Sequence, residues 1–160
     1  MISIIMGSDS DLPIMEETAK MLKYFGIKYE MKILSAHRTP EAVRKYVKNS
    51  EQKGIKLFIA GAGGAAHLPG VIASFTTIPV IGVPLGSELK GMDSLFSIVQ
   101  MPKGVPVATM AIGKAGAINA AILAAEILAL NDKKIKLRLQ VYRSQMVKEV
   151  LNKSKSLRRK

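Results

Sequence analysis

The stretch Ile2-Ser-Ile-Ile-Met-Gly-Ser-Asp-Ser-Asp-Leu-Pro13 decides the fold. Ile2–Met6 is a short, mostly apolar run of strand length. Gly7–Asp11 then supplies small and hydroxyl residues suited to a turn. A helical pattern follows to about Phe25. Asp11 is expected to cap that helix, Pro13 suits its first turn, and Glu16 and Glu17 favour its positive end. Gly26 is the expected stop. Together these residues make a strand, a polar loop and a helix, which is half of a βαβ unit.

The same unit recurs down the chain. Ile27–Leu34 reads as a second strand, Ser35–Pro40 as its loop, and Pro40 to about Lys53 as a helix capped by Thr39 and ended by Gly54. Ile55–Ala60 is a third strand, leading through Gly61–Gly70 into a short helix to Phe75. Pro79–Val83 is a fourth strand, followed by a short helix near Ser94–Val99. Val105–Ile112 is a fifth strand, with a helix from Ala115 to Leu130 that is apolar nearly all round. Such alternation predicts an α/β fold, a three-layer doubly wound parallel sheet of flavodoxin-like order 2-1-3-4-5. Residues 1–131 make a single core domain. Residues 132–160 make a long C-terminal helix and a basic tail. Its stripe of Ile135, Leu139, Tyr142, Met146 and Val150 at helical spacing is expected to pack on a neighbouring subunit.

Composition narrows the function. The chain has 160 residues, 48% of them apolar, and no cysteine. Disulfide scaffolds, cysteine zinc sites and thiolate nucleophiles are therefore excluded. The opening residues carry no basic signal-peptide region, and the longest apolar stretch falls short of the ~20 residues of a membrane span. A cytoplasmic protein without membrane contact is expected. Of the net charge of +12, residues 132–160 hold 11 Lys and Arg against two acidic residues, leaving 13 against 10 elsewhere. A nucleic-acid-binding tail is one reading of this asymmetry. No aromatic residue lies between Leu151 and Lys160 to stack on bases, so a solvated helix end is preferred and no nucleic-acid partner is expected.

Chemistry concentrates in three loops. Ligands of such sheets bind beyond the carboxyl ends of the strands, where the loops after the first three strands become neighbours. Gly7–Asp11 offers Ser8 and backbone N–H groups as donors, and Asp11 as an acceptor for sugar hydroxyls. Ser35-Ala-His-Arg-Thr-Pro40 offers a guanidinium fork on Arg38 for phosphate or carboxylate, and a proton-exchanging imidazole on His37. Ala60–Gly70 is built of glycine and alanine around His67, leaving the backbone open to close approach. His37 and His67 lack metal-ligand spacing, and there is no P-loop lysine, dinucleotide fingerprint or Gly-x-Ser-x-Gly elbow. No metal is expected. These residues point to a phosphate-bearing small molecule and a histidine acid/base.

Ordered together, the loops resemble those of class I 5-(carboxyamino)imidazole ribonucleotide mutases. The matching strings are Met6-Gly-Ser-Asp-Ser-Asp11, Ser35-Ala-His-Arg-Thr-Pro40, Ala60–Val71, Ser97-Ile-Val-Gln-Met-Pro102 with Gly104–Thr109, and Ala111–Ala117 with Asn119-Ala-Ala121. The related class that carboxylates aminoimidazole ribonucleotide directly with CO2 typically carries Lys-Gly in place of Arg38-Thr39, and it differs around Ala65-Ala-His67. The resemblance implies a purine-biosynthesis isomerase without cofactor, which moves CO2 from the exocyclic amine to the ring carbon of the nucleotide. It implies His37 as general acid/base. Ser8, Asp11, Ser35 and Arg38 are implied to contact substrate, while Gly63, Gly64, Ala65, Ala66, His67 and Leu68 line the CO2 and base pocket. It implies a homo-octamer, functionally coupled to an ATP-dependent carboxyaminoimidazole ribonucleotide synthetase. Gly86-Ser-Glu-Leu-Lys90 departs from a more alanine-rich stretch and is expected to stay clear of the three loops. A non-catalytic flavin- or nucleotide-binding module is the reading the fold also permits. A flavin would want stacking aromatics, and the first and third loops have none.

Overall fold

The computed structural model describes residues 1–157. Residues 158–160, the end of the basic tail, lie outside the described residues.

Strands β1 (Ile2–Met6), β3 (Leu57–Ala62) and β4 (Val80–Pro84) are buried along their whole length, as continuous apolar runs require. Strands β2 (Tyr29–Ile33) and β5 (Ala108–Thr109) are more exposed and form the edges. All five pair in parallel in the order β2-β1-β3-β4-β5. This is the expected doubly wound sheet. Register aligns Met6 with Ile33 on one side and Gly61 on the other, so three strands end level with one another.

Helices α1 (Leu12–Tyr24) and α5 (Gly113–Ala129) cover one face of the sheet. Helices α2 (Pro40–Lys48), α3 (Leu68–Ala73) and α4 (Met92–Val99) lie on the other. Each face has its own apolar cluster, one around Ile4, Leu22, Phe25 and Ile59, the other around Ile5, Val43, Phe58 and Ile72. Burying one such large side chain is worth roughly 1.5–3 kcal/mol, so the sheet is held firmly from both sides.

Helix α6 (Lys133–Leu157) rides over α5. Ile135, Leu139 and Tyr142 of its stripe pack on the chain's own core, with Tyr142 edge-on to Phe25. Arg138 reinforces the contact by donating from Nη1 to the Phe25 carbonyl. Met146 and Val150, further along, remain exposed.

Several expectations about boundaries need correcting. Asp11 makes no side-chain cap on α1. Ser8 instead caps a 3-10 turn at Asp9–Asp11 that precedes the helix, and Asp11 completes a capping box with it. Thr39 likewise does not cap α2; its hydroxyl bonds back to Ser35. Helix α2 stops at Lys48, because Ser50 turns inward, is fully buried and donates to the Val47 carbonyl. The fifth strand shrinks to two residues, since Pro102 and Pro106 flank its start and an edge strand has one partner only. Helix α6 continues to Leu157, so the described part of the expected basic tail is helical.

Candidate functional site

Because β1, β2, β3 and β4 are parallel and in register, their following loops converge on one edge of the sheet and enclose a cavity of about 570 Å³.

The first loop is rigid. The Ser8 N–H donates to Asp11 Oδ2 at 3.1 Å, and the Ser8 hydroxyl donates to Asp9 Oδ1 at 2.9 Å. Burial pushes the Asp11 carboxyl above its ordinary range, against the opposing pull of the Ser8 and Gly7 N–H groups and Arg38. Asp9 is displaced the other way, chiefly by the Ser8 hydroxyl. Two carboxylates two positions from one another thus differ by environment: Asp9 is solvated, while Asp11 lines the cavity.

The second loop closes on itself through the Arg38 N–H, which donates to Ser35 Oγ at 3.2 Å, and through the reciprocal Ser35–Thr39 bonds. Arg38 Nη2 donates to the Gly7 carbonyl at 2.9 Å, tying this loop to the first. One arm of a five-donor fork is used there, leaving other N–H groups for a ligand.

The third loop brings His67 to His37. His37 Nε2 and His67 Nδ1 are 2.7 Å apart, with the rings edge-on at 81°. One ring must supply the N–H and the other the lone pair, so the pair shares a single proton across the contact. The loop reaches this position through two left-handed residues, Gly64 at φ +63° and Ala66 at φ +44°. Ala66 is a non-glycine residue in that region and is buried, so the loop holds local strain of about 1–2 kcal/mol.

The cavity gathers Ser8, Asp11, Ser35, His37, Arg38, Gly63, Gly64, Ala66, His67 and Leu68. Ala65 belongs to the same loop but is exposed and does not line the cavity. Gly7, Ser10, Ala36 and Ala62 join from the same three segments. A fourth segment also contributes. Gly86, Ser87 and Glu88, after β4, line the cavity, correcting the expectation that this stretch stays clear. The Gly86 carbonyl lies 3.2 Å from where a Cβ on Gly63 would stand, so the two loops touch. The signal was available: β4 neighbours β3, and its loop must reach the same edge. Among the described residues, no cluster of three or more His, Cys, Asp or Glu could hold a metal ion.

A family model described as AIR carboxylase matches residues 1–149. The N5-carboxyaminoimidazole ribonucleotide mutase of Thermotoga maritima is 57% identical over 98% of this chain and 91% of its own. The mutase of the same name from Pyrococcus abyssi is 60% identical over 91% of this chain and 83% of its own. Among solved structures, the crystal structure of Treponema denticola PurE superposes with a TM-score of 0.89 at 34% identity, covering 98% of this chain and 97% of that one. The order of strands, the cavity at their carboxyl edge and these likenesses agree, and the chain belongs to the AIR carboxylase family, as an isomerase-type, mutase member of it.

Proposed function

We propose that this protein interconverts 5-carboxyaminoimidazole ribonucleotide and 4-carboxy-5-aminoimidazole ribonucleotide in purine biosynthesis, with His37 as the general acid/base. The observation that carries the reading is the 2.7 Å His37–His67 pair inside a cavity that also holds Arg38, Ser8 and Asp11.

The chemistry balances with one proton. Protonated His37 gives its proton to the carbamate nitrogen as the N–C bond breaks, releasing CO2 and the free amine. The electron-rich ring carbon then attacks CO2, forming the new C–C bond. Neutral His37 removes the proton from that carbon and returns to its starting state. Substrate and product are isomers, so no co-reactant is consumed. Such acid–base help is typically worth roughly 10²–10⁴-fold in rate. Gly63, Gly64 and Ala66, with the apolar Leu68, form the wall where CO2 is held, since water there would let it escape as bicarbonate. His67 holds His37 in one tautomer and orientation. Arg38 and Ser8 take the anionic groups, and Asp11 accepts from ribose hydroxyls.

The same reading covers assembly and setting. The exposed Met146 and Val150 face of α6 packs on a neighbouring subunit of a homo-octamer. The enzyme works in the cytoplasm beside an ATP-dependent synthetase that makes the labile carbamate. Among the described residues no helix is long and apolar enough to cross a membrane.

The test is the reverse reaction, adding the ring-carboxylated nucleotide to purified wild type and to His37→Ala. Consumption by wild type, with a loss of at least 10²-fold in the variant, is the expected result. Equal rates, or an inactive wild type that is folded, would overturn the proposal. Supplying the carbamate against aminoimidazole ribonucleotide plus bicarbonate separates mutase action from direct carboxylation.

A further inference from the structure

The loop after β4 is built, not loose. Ser87 Oγ donates to the Asp93 carboxylate and accepts from the Gly91 N–H at 3.1 Å. Lys90 N–H donates to the Ser87 carbonyl at 2.9 Å, and Lys90 and Gly91 both adopt left-handed backbone, at φ +56° and +85°. Ile112 lies against Gly91 from below. This turn sets Glu88 on the cavity wall.

The strand order gives that position meaning. Arg38 follows β2 and Glu88 follows β4, at opposite ends of the four strands whose loops form the cavity. Three strand spacings separate those ends, roughly 14 Å. Among the described residues on the wall, Arg38 is the only lysine or arginine; Lys90 is exposed and does not line it. At the β4 end, the first turn of α4 already has Asp93 as its anion, and Asp93 holds Ser87. The β2 end of the cavity therefore holds the Arg38 guanidinium beside Asp11, while the β4 end holds carboxylates and no cation.

We propose that Glu88 is a specificity-determining residue that sets the direction in which the ligand lies. Its carboxylate accepts from a hydroxyl or amine N–H at the β4 end and repels an anionic group there. The phosphate is thereby confined to the Arg38 end, and free phosphate is disfavoured in the rest of the cavity. The identity of the ligand rests on the nucleotide reading above; the charge polarity does not.

The test compares wild type, Glu88→Gln and Glu88→Lys, all at an exposed position where folding is not at stake. Calorimetry with inorganic phosphate reads the polarity without turnover, so it stays informative if the nucleotide reading fails. Phosphate is expected to bind tighter in the order Lys, Gln, Glu, by about 5-fold or more between the extremes. That gap should close near 1 M salt, where the screening length falls to about 3 Å. With the carbamate nucleotide, both variants should show a rise in KM of about 3- to 10-fold that exceeds any fall in kcat. A merely structural role would lower both affinities together. Equal phosphate affinity in all three proteins, or parallel loss in both variants, overturns the proposal.

Discussion

Gly116→Ala sets two well-understood effects against each other. Gly116 lies in the first turn of α5, where alanine is favoured over glycine by about 1 kcal/mol on helix propensity. A Cβ at this position would stand 1.6 Å from the Ala111 carbonyl oxygen and 2.7 Å from its carbon. Those are backbone atoms, so no rotamer change relieves the overlap. Overpacking a tight site typically costs about 1–3 kcal/mol, and a backbone clash this close belongs at or above the top of that range. The clash should win by about 2 kcal/mol. For a chain of this length, with Tm moving roughly 2–4 °C per kcal/mol, that is a fall of about 5 °C. The displacement also reaches the site, because Ala111 precedes Ile112, whose Cγ2 lies 2.5 Å from the Cβ position of Gly91, which closes the turn holding Glu88. KM should therefore rise together with the loss in stability. Thermal denaturation at one fixed protein concentration checks the first part, since assembly makes Tm concentration-dependent. Gly86→Ala is the control, as its Cβ would meet open space. A Tm for Gly116→Ala equal to or above wild type would refute the packing argument.

Three further outcomes are expected. Ala66→Gly should be close to neutral in urea unfolding, because relief of the φ +44° strain offsets the entropy of an added glycine, whereas Ala66→Val should cost about 2 kcal/mol or more at this buried left-handed position. Asp11 has a raised folded-state carboxyl, so its favourable share of stability is present below the ordinary value of 3.8 and is lost as pH rises through the folded value. Asp11→Asn should gain stability relative to wild type across that interval, and a difference that is flat or falls with pH would contradict the burial argument. Val150→Asp places a charge on the exposed apolar face of α6 and should reduce the mass seen by light scattering while leaving the far-ultraviolet circular dichroism intact; an unchanged mass would remove that face from any interface.

Sequence and tertiary structure divide the account along physical lines. Strand and helix types were legible because β1, β3 and β4 are apolar runs of strand length, and the parallel order followed from their alternation with helices. The three loops with Ser8, His37, Arg38 and His67 were legible because hydroxyls, histidines and glycines after strands have few other uses. Ends of elements were not. Whether Ser8 or Asp11 caps, and whether α2 stops at Lys48 or runs on to Gly54, turns on which polar group is buried, and burial belongs to the fold and not to a window of residues.

The site divides in the same way. Sequence separated His37 from His67 by thirty positions, and only the crossing of β1 between β2 and β3 sets their nitrogens 2.7 Å apart. Sequence marked Arg38 and Asp11 as substrate contacts but left Glu88 in a stretch expected to stay clear of the site. Parallel register sets Arg38 and Glu88 at opposite ends of one cavity, because loops from adjacent strands must share an edge. The sequence thus supplied by itself the side-chain types proposed here for acid, base and anion contact. Direction, distance and the shared proton came from the sheet, since those depend on which strands are neighbours.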